Sequence, residues 1–494
     1  MSDLLDLVRG CTFDDFLFTP QYSVVERRDP ATIDLTSHFS RHLTLKRPIV
    51  SANMDTVTRA EMAIVVAEDG GIGVIDRGFR SGDINPQVRE VQIVKRKQHG
   101  VISDPYTVAP TASLADAETR MRATGVGTLV VVDEQHLVQG LLTTRDLRFA
   151  DHGGTVASRM TPRDRLITHA GEPDIAKAEE TMRTHKIKKL PLLNADGSLR
   201  GLITAKDLIT QRQLPFATRD TQGRLRVAAA IGAKGDYLER AAELLRAQVD
   251  VIVIDIAHGH SGVMARAIEE FRKRFGDVEL VAGNVATADG ARFLLERGVD
   301  GIKVGIGPGG GCTTRLNTNF GVPQVQALVE CRTVAAGRVP LIADGGVKRH
   351  GALVQALIFG GDTVMLGSML AGTAETPGDV VQKPVVVPDS SRTVHVPFKV
   401  FRGMASLEAI VDRLDVEDAD AADVEALGAE GMEISVPVRG SVRPLLRDML
   451  KHLCSAISYG GAQSLADMQG MFRKEPERYV IRLTRSSRRE SFDR

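Results

Sequence analysis

Short runs of Val, Ile, Leu and Ala punctuate the chain, each ending in Gly, Asp or Asn. They fall at 47–51, 72–75, 226–231, 250–255, 279–283, 301–304, 340–343 and 363–366. An apolar run without alternation suits a strand buried on both faces, the habit of parallel sheets. Helical periodicity fills most of the intervals, as in YLERAAELLRAQ (237–248) and ARFLLERG (291–298). Eight β/α units predict an α/β protein whose strands close into a (β/α)8 TIM barrel. The count alone leaves an open doubly wound sheet as the alternative.

The interval between the second and third runs is too long for one helical crossover. Within it, roughly 93–214, the chain repeats itself: LVVVDEQHLVQGLLTTRDL (129–147) is similar to LPLLNADGSLRGLITAKDL (190–208). Gly140 aligns with Gly201 and Asp146 with Asp207, both pairs 61 residues apart (201 − 140 and 207 − 146). Two strand–turn–strand–helix copies predict a pseudo-symmetric pair burying one shared face. The insert resembles a tandem pair of CBS domains, about 93–157 and 158–214, modules that often bind adenine nucleotides; a purely structural role is the alternative. Residues 1–92 and 215–494 would then form the barrel, with an active-site flap at about 380–440.

The richest segment for chemistry is GIKVGIGPGGGCTTR (301–315). The sixth strand runs there into a glycine-dense loop holding Cys312, at the strand end where such barrels carry their active sites. Glycine density lets backbone N–H groups approach an anion, and a loop-tip cysteine has the exposure a nucleophilic thiolate needs. A small buried apolar cysteine is the competing reading. ADGG (343–346) and LGS (366–368) end the last two strands, where barrels of this kind commonly bind phosphate. Asp344 suits ribose hydroxyls better than a phosphate, although a turn-capping role fits it as well. Asp255 is a second acid on the same rim. His258 and His260 beside it lack a third metal ligand and read as loop residues.

Composition narrows the class. Lys+Arg and Asp+Glu both number 63, so bulk charge gives no reason to expect a nucleic-acid partner or a membrane surface. MSDLLDLVRG lacks the pattern of a secretory signal, and no apolar run reaches bilayer length. Cys11, Cys312, Cys331 and Cys454 lie far apart without a CxxC pair, which predicts neither zinc site nor disulfide framework and points to a reducing cytoplasm.

SANMDTV (51–57), DIAHGHS (255–261), AGNVAT (282–287), GIGPGGGCTTR, ADGG, VMLGSMLAG (364–372) and FRGMAS (401–406) together resemble the IMP dehydrogenase/GMP reductase family. The motifs keep the family's order and cover nearly the whole chain. The resemblance implies a purine nucleotide oxidoreductase in which Cys312 bonds to the purine C2 carbon and Thr314 and Glu430 handle protons. It implies that Asp344 binds ribose, that Gly345, Gly346, Gly367 and Ser368 bind phosphate, and that Met404 lies against the base. Asp255 would face NADPH or NAD. Carbonyls of Gly307, Gly309 and Cys312 would hold a monovalent cation such as K+, with Glu490 of a neighbouring subunit, in a homotetramer or octamer. Adenine or guanine nucleotides would occupy the CBS pair.

Two activities share this chemistry, and the flap separates them. Family dehydrogenases activate water with an Arg-Tyr pair on the flap, whereas 407–428 aligns without a gap on Glu417 and Asp418, or with a shift on Arg413 and Leu414. FKVFRGMAS (398–406), with Phe401, Thr318 and AEGMEISVPVRG (429–440) also resemble reductases; the overall length, DIAHGHS and the Glu490-Ser491 ending resemble dehydrogenases. The missing pair weighs most, because only one reaction needs activated water. The expectation is therefore GMP reductase (GMP plus NADPH to IMP, ammonia and NADP+), with IMP dehydrogenase as the alternative. A modified purine or deazapurine substrate and a catalytically inactive nucleotide-sensing or assembly protein stay open. Gly310 departs from both patterns, standing where the family has a phosphate-binding serine.

Overall fold

Eight parallel strands close on themselves: β1 (Ile49–Ser51), β2 (Ile72–Ile75), β3 (Ala228–Ile231), β4 (Val251–Asp255), β5 (Leu280–Val285), β6 (Gly301–Val304), β7 (Leu341–Asp344) and β8 (Thr363–Leu366). The last pairs with the first, Val364 beside Ile49, and β2 pairs with β3 across the insertion. This is a (β/α)8 barrel, and every strand lies within two residues of its expected run. The computed structural model describes residues 2–80, 82–97, 101–102, 105–148, 153–171, 175–386, 393–412 and 429–492.

The apolar runs lack alternation because both faces of each strand are dry. Along β4, Val251 and Val253 join the interior cluster, while Ile252 and Ile254 pack outward beneath the helices. The hairpin Ser37–Ser40/Leu43–Leu45 sends Phe39, Leu43 and Leu45 into the interior, closing the end where the strands begin. In β6 the alternation reveals an exception: Ile302 and Val304 face outward, and the interior position carries Lys303.

After β8 the chain forms an antiparallel sheet of β9 (Val381–Val386), β10 (Thr393–Arg402) and β11 (Glu433–Pro437). Lys399 ties its root to the loop beyond β8, donating to the carbonyls of Thr373 at 3.1 Å, Ala374 at 3.2 Å and Thr376 at 2.6 Å.

The chain divides into two compact units: Met1–Lys95, Phe216–Thr218 and Leu225–Arg494, then Arg96–Pro215 with Arg219–Arg224. The second begins at Arg96, within three residues of the expected start at about 93. The helix Asn85–Arg96 belongs to the barrel, because Val91 and Val94 enter its outer core and Lys95 Nζ meets Asp250 at 2.6 Å.

Within the second unit each repeat is the expected strand–turn–strand–helix, and both repeats contribute to one buried face of Val130, Val138, Leu141, Leu193 and Leu202. A division at 157/158, however, does not separate the two sheets. The first sheet runs Thr161–Pro162, Val138–Thr143, Thr128–Val132, Thr107–Val108; the second runs His169–Ala170, Lys189–Leu193, Leu199–Thr204, Val101–Ile102. Each sheet takes its fourth strand from the segment that leads into the other repeat. Among the described residues no helix is long and apolar enough to cross a membrane.

Candidate active site

The strand ends of the barrel surround a cavity of about 300 Å3. Its rim is the loop after β6. Cys312 N donates to Gly309 O at 3.1 Å, folding the loop so that the thiol lines the cavity. The flap then holds it from the far side: Thr313 N donates to Glu430 O at 2.8 Å and Met432 N to Gly311 O at 3.0 Å. This approach needs a bare backbone, since a Cβ on Gly311 would lie 2.8 Å from Gly403 N. The clamp brings residues 116 positions apart into one relay: Cys312 Sγ lies 3.2 Å from Thr314 Oγ1, which donates to Glu430 Oε2 at 2.6 Å. A thiol, a hydroxyl and a carboxylate in line can form a covalent adduct and move a proton beside it.

The floor is ionic. Lys303 Nζ lies 3.0 Å from Asp255 Oδ1, 2.9 Å from Asp344 Oδ2 and 3.1 Å from Asn53 Oδ1. Asn53 Nδ2 donates to the second oxygen of Asp255 at 2.8 Å, and Asn284 Nδ2 donates to Asp344 Oδ2 at 2.9 Å. Burial by itself would drive Lys303 toward its neutral form, but Asp255 and Asp344 outweigh it and push the lysine pKa up. Burial likewise opposes ionisation of Asp255, yet Lys303 and then Arg77 hold its carboxyl below the usual range. Gly283 makes room for the lysine: a Cβ there would stand 2.5 Å from Lys303 Cβ.

Asp255, Gly307, Gly309, Cys312, Thr314, Asp344, Gly345, Gly346, Gly367, Ser368, Met404 and Glu430 all line this cavity, with Gly310 and Phe401. Gly345 has φ +92°, and a Cβ on it would meet Pro308 Cγ at 2.9 Å, so the ADGG turn and the cysteine loop pack backbone to backbone. Glu490 stands apart, exposed on the helix Arg485–Phe492. His258 and His260 are exposed and belong to no cluster of metal-ligating groups among the described residues. Cys11, Cys331 and Cys454 are buried, and burial pushes the Cys454 thiol up to about 11. The flap positions Arg413, Leu414, Glu417 and Asp418 lie outside the described residues.

The cysteine loop, the ADGG turn and the flap relay converge in one cavity, and a family model described as the IMP dehydrogenase / GMP reductase domain matches residues 10–493. The chain belongs to this family. It is accordingly an NAD(P)-dependent oxidoreductase. An inosine-5'-monophosphate dehydrogenase of Nitrosopumilus maritimus is 41% identical over 469 residues, covering 94% of this chain and 95% of its own. A GMP reductase of Leishmania major is 40% identical over 502 residues, covering 99% and 98%. Among solved structures, a GMP reductase from Trypanosoma brucei in complex with guanosine 5'-monophosphate is similar at 36% identity. It covers 99% of each chain with a TM-score of 0.86. Members of the family under both names thus match across nearly the full length.

Lys303, Asn53, Asn284 and Arg77 escaped the sequence reading. The signal for Lys303 was one charge inside the apolar run of β6. Asn53 and Asn284 sat within quoted motifs, but their roles depend on carboxylates 202 and 60 residues away. Arg402 was also missed; it bridges Asp55 and Asp412, each at 2.6 Å, and so ties the flap root to the loop after β1.

Proposed function

We propose that this enzyme is a GMP reductase, converting GMP and NADPH to IMP, ammonia and NADP+. The observation that carries the reading is the Cys312–Thr314–Glu430 relay. The Cys312 thiolate attacks the purine C2 carbon, and the bond from C2 to the amino group breaks. Glu430, through Thr314 Oγ1, delivers the proton with which the amine leaves as ammonia. NADPH, when bound, supplies a hydride to C2. Cys312 then departs as the thiolate and IMP is released. Asp344 receives the ribose hydroxyls on Oδ1, since Oδ2 is already shared by Lys303 and Asn284. Backbone N–H groups around Gly345, Gly346, Gly367 and Ser368 face the phosphate, and Met404 packs on the base. Asp255, Ile256, Ala257 and Arg77 line a part of the cavity with an apolar wall and polar edges, which fits a nicotinamide.

No step in this route needs activated water, in keeping with a flap sequence that lacks the Arg-Tyr pair. Length is no objection, because the Leishmania major GMP reductase matches over 98% of its own chain. The second reading is IMP dehydrogenase, favoured by the Nitrosopumilus maritimus relative and by DIAHGHS. Supplying GMP with NADPH, and separately IMP with NAD+, while following reduced cofactor and ammonia, separates the two. Ammonia release from GMP is expected. NAD+-dependent XMP formation without it would overturn the assignment in favour of the dehydrogenase.

The same reading takes the insertion as a tandem CBS pair for adenine or guanine nucleotides, and the assembly as a homotetramer or octamer in the cytoplasm. Carbonyls of Gly307, Gly309 and Cys312 are hard oxygen donors suited to K+, with Glu490 reaching in from a neighbouring subunit.

A further inference from the structure

A lysine inside a barrel is costly unless every proton it carries is used. Lys303 has three N–H donors and three oxygen partners, from β4, from β7 and from the loop after β1. Its two carboxylates belong to different halves of the cavity: Asp344 stands beside the ADGG turn, and Asp255 beside Ile256 and Ala257. Asp344 has one oxygen committed to Lys303 and Asn284, while both oxygens of Asp255 are engaged, one with Lys303 and the other with Asn53. Asparagines orient a carboxylate and donate a hydrogen bond to it, whereas an ammonium shared by two carboxylates also offsets the repulsion between them.

We infer that Lys303 is a positioning residue that pins Asp255 and Asp344 to one ammonium, so that the same buried charge orients both the nucleotide half and the cofactor half of the cavity. The inference rests on the reading of Asp344 as the ribose acceptor. The other charged or titratable groups lining the cavity are Arg77, Cys312 and Glu430. Arg77 adds to the positive potential at Asp255. Cys312 and Glu430 sit in the relay at the rim and do not bond to the lysine.

The consequence follows from the loss of the cation. Without it the two carboxylates repel one another and lose the group that fixes them, so the nucleotide half and the cofactor half of the cavity loosen together.

The test is calorimetric titration of the full-length enzyme with GMP and, separately, with NADPH, at one pH. Lys303→Met keeps the length of the side chain and removes its charge, and is expected to weaken GMP and NADPH each about tenfold. Adding Asp255→Asn to it removes the repelling neighbour and is expected to restore part of the GMP affinity. Asp255→Asn alone leaves the whole ammonium to Asp344 and is expected to tighten GMP binding; it keeps the test decisive if Lys303→Met does not fold. Unchanged affinity for either ligand in Lys303→Met overturns the inference. So does GMP binding in Asp255→Asn that is no tighter than in the parent. Asp344→Asn tests the underlying reading separately: if it leaves GMP affinity intact, Asp344 is not the ribose acceptor and the site assignment fails first.

Discussion

The rim and the floor of the cavity are built on opposite principles. At the rim, glycines and backbone hydrogen bonds carry a thiol on a loop, and a separate segment of chain clamps it from above. At the floor, side chains rooted in or beside barrel strands meet in a charge network whose lysine is almost wholly buried. A loop can adapt as bonds form and break, whereas a strand-borne network keeps its geometry through the reaction. On the proposed function, the contrast separates residues that react from residues that hold the field in which the reaction runs.

Substitutions should obey that division, and the largest effect belongs to the rim. Cys312→Ala is expected to lower turnover by about a thousandfold or more while leaving the melting curve and GMP binding close to the parent. Steady-state rates with calorimetry check it, and wild-type turnover in the alanine variant would sink the covalent route. Next comes Glu430→Gln, expected to slow ammonia release about a hundredfold, with nucleotide affinity changed little because the proton is needed only in that step. A parallel loss of affinity would make Glu430 a binding group.

The floor should respond through stability first. Gly283→Ala drives a methyl against Lys303 and should cost about 1–3 kcal/mol in denaturant unfolding, as overpacked cores do. An unchanged midpoint would mean that the lysine has room to move and that the floor is softer than its contacts imply. The smallest expected effect is a gain. A Cβ on Gly310 would stand 3.6 Å from Ser368 Cβ, an ordinary contact, so Gly310→Ser fits. One added hydroxyl donor, worth about 0.5–1.5 kcal/mol, should tighten GMP binding between about twofold and tenfold. Weaker binding would mean that the phosphate does not lie between these two residues.

The same division explains what could be read from the chain. The barrel was legible because a strand dry on both faces leaves an unbroken apolar run, and eight such runs survive in order. The shape of the rim was legible because a backbone that crosses another as closely as Gly311 meets Gly403 needs glycine, and GPGGGC states that locally. Glu430 came only through the family resemblance, since nothing near it in sequence points 116 residues back to Thr314. Lys303 was visible as a lone charge in GIKV, but its meaning depends on where three other strand ends arrive. The insertion, expected to start at about 93, starts at Arg96 for a related reason: Val94 and Lys95 belong to a helix whose partners lie across the insertion. The division at 157/158 followed sequence similarity, which is blind to strands of two residues.

Those two-residue strands bear on how the protein can be made and cut. Val101–Ile102 leaves the ribosome long before Leu199–Thr204, the strand it pairs with, so the second sheet cannot be completed until the whole insertion has been synthesised. Thr161–Pro162, in turn, completes the first sheet from beyond the midpoint of the repeat. Excising either repeat alone would strip a strand from the sheet left behind and bare a hydrogen-bonding edge. The insertion is therefore a single structural unit, and half of it is not a smaller version of the same device.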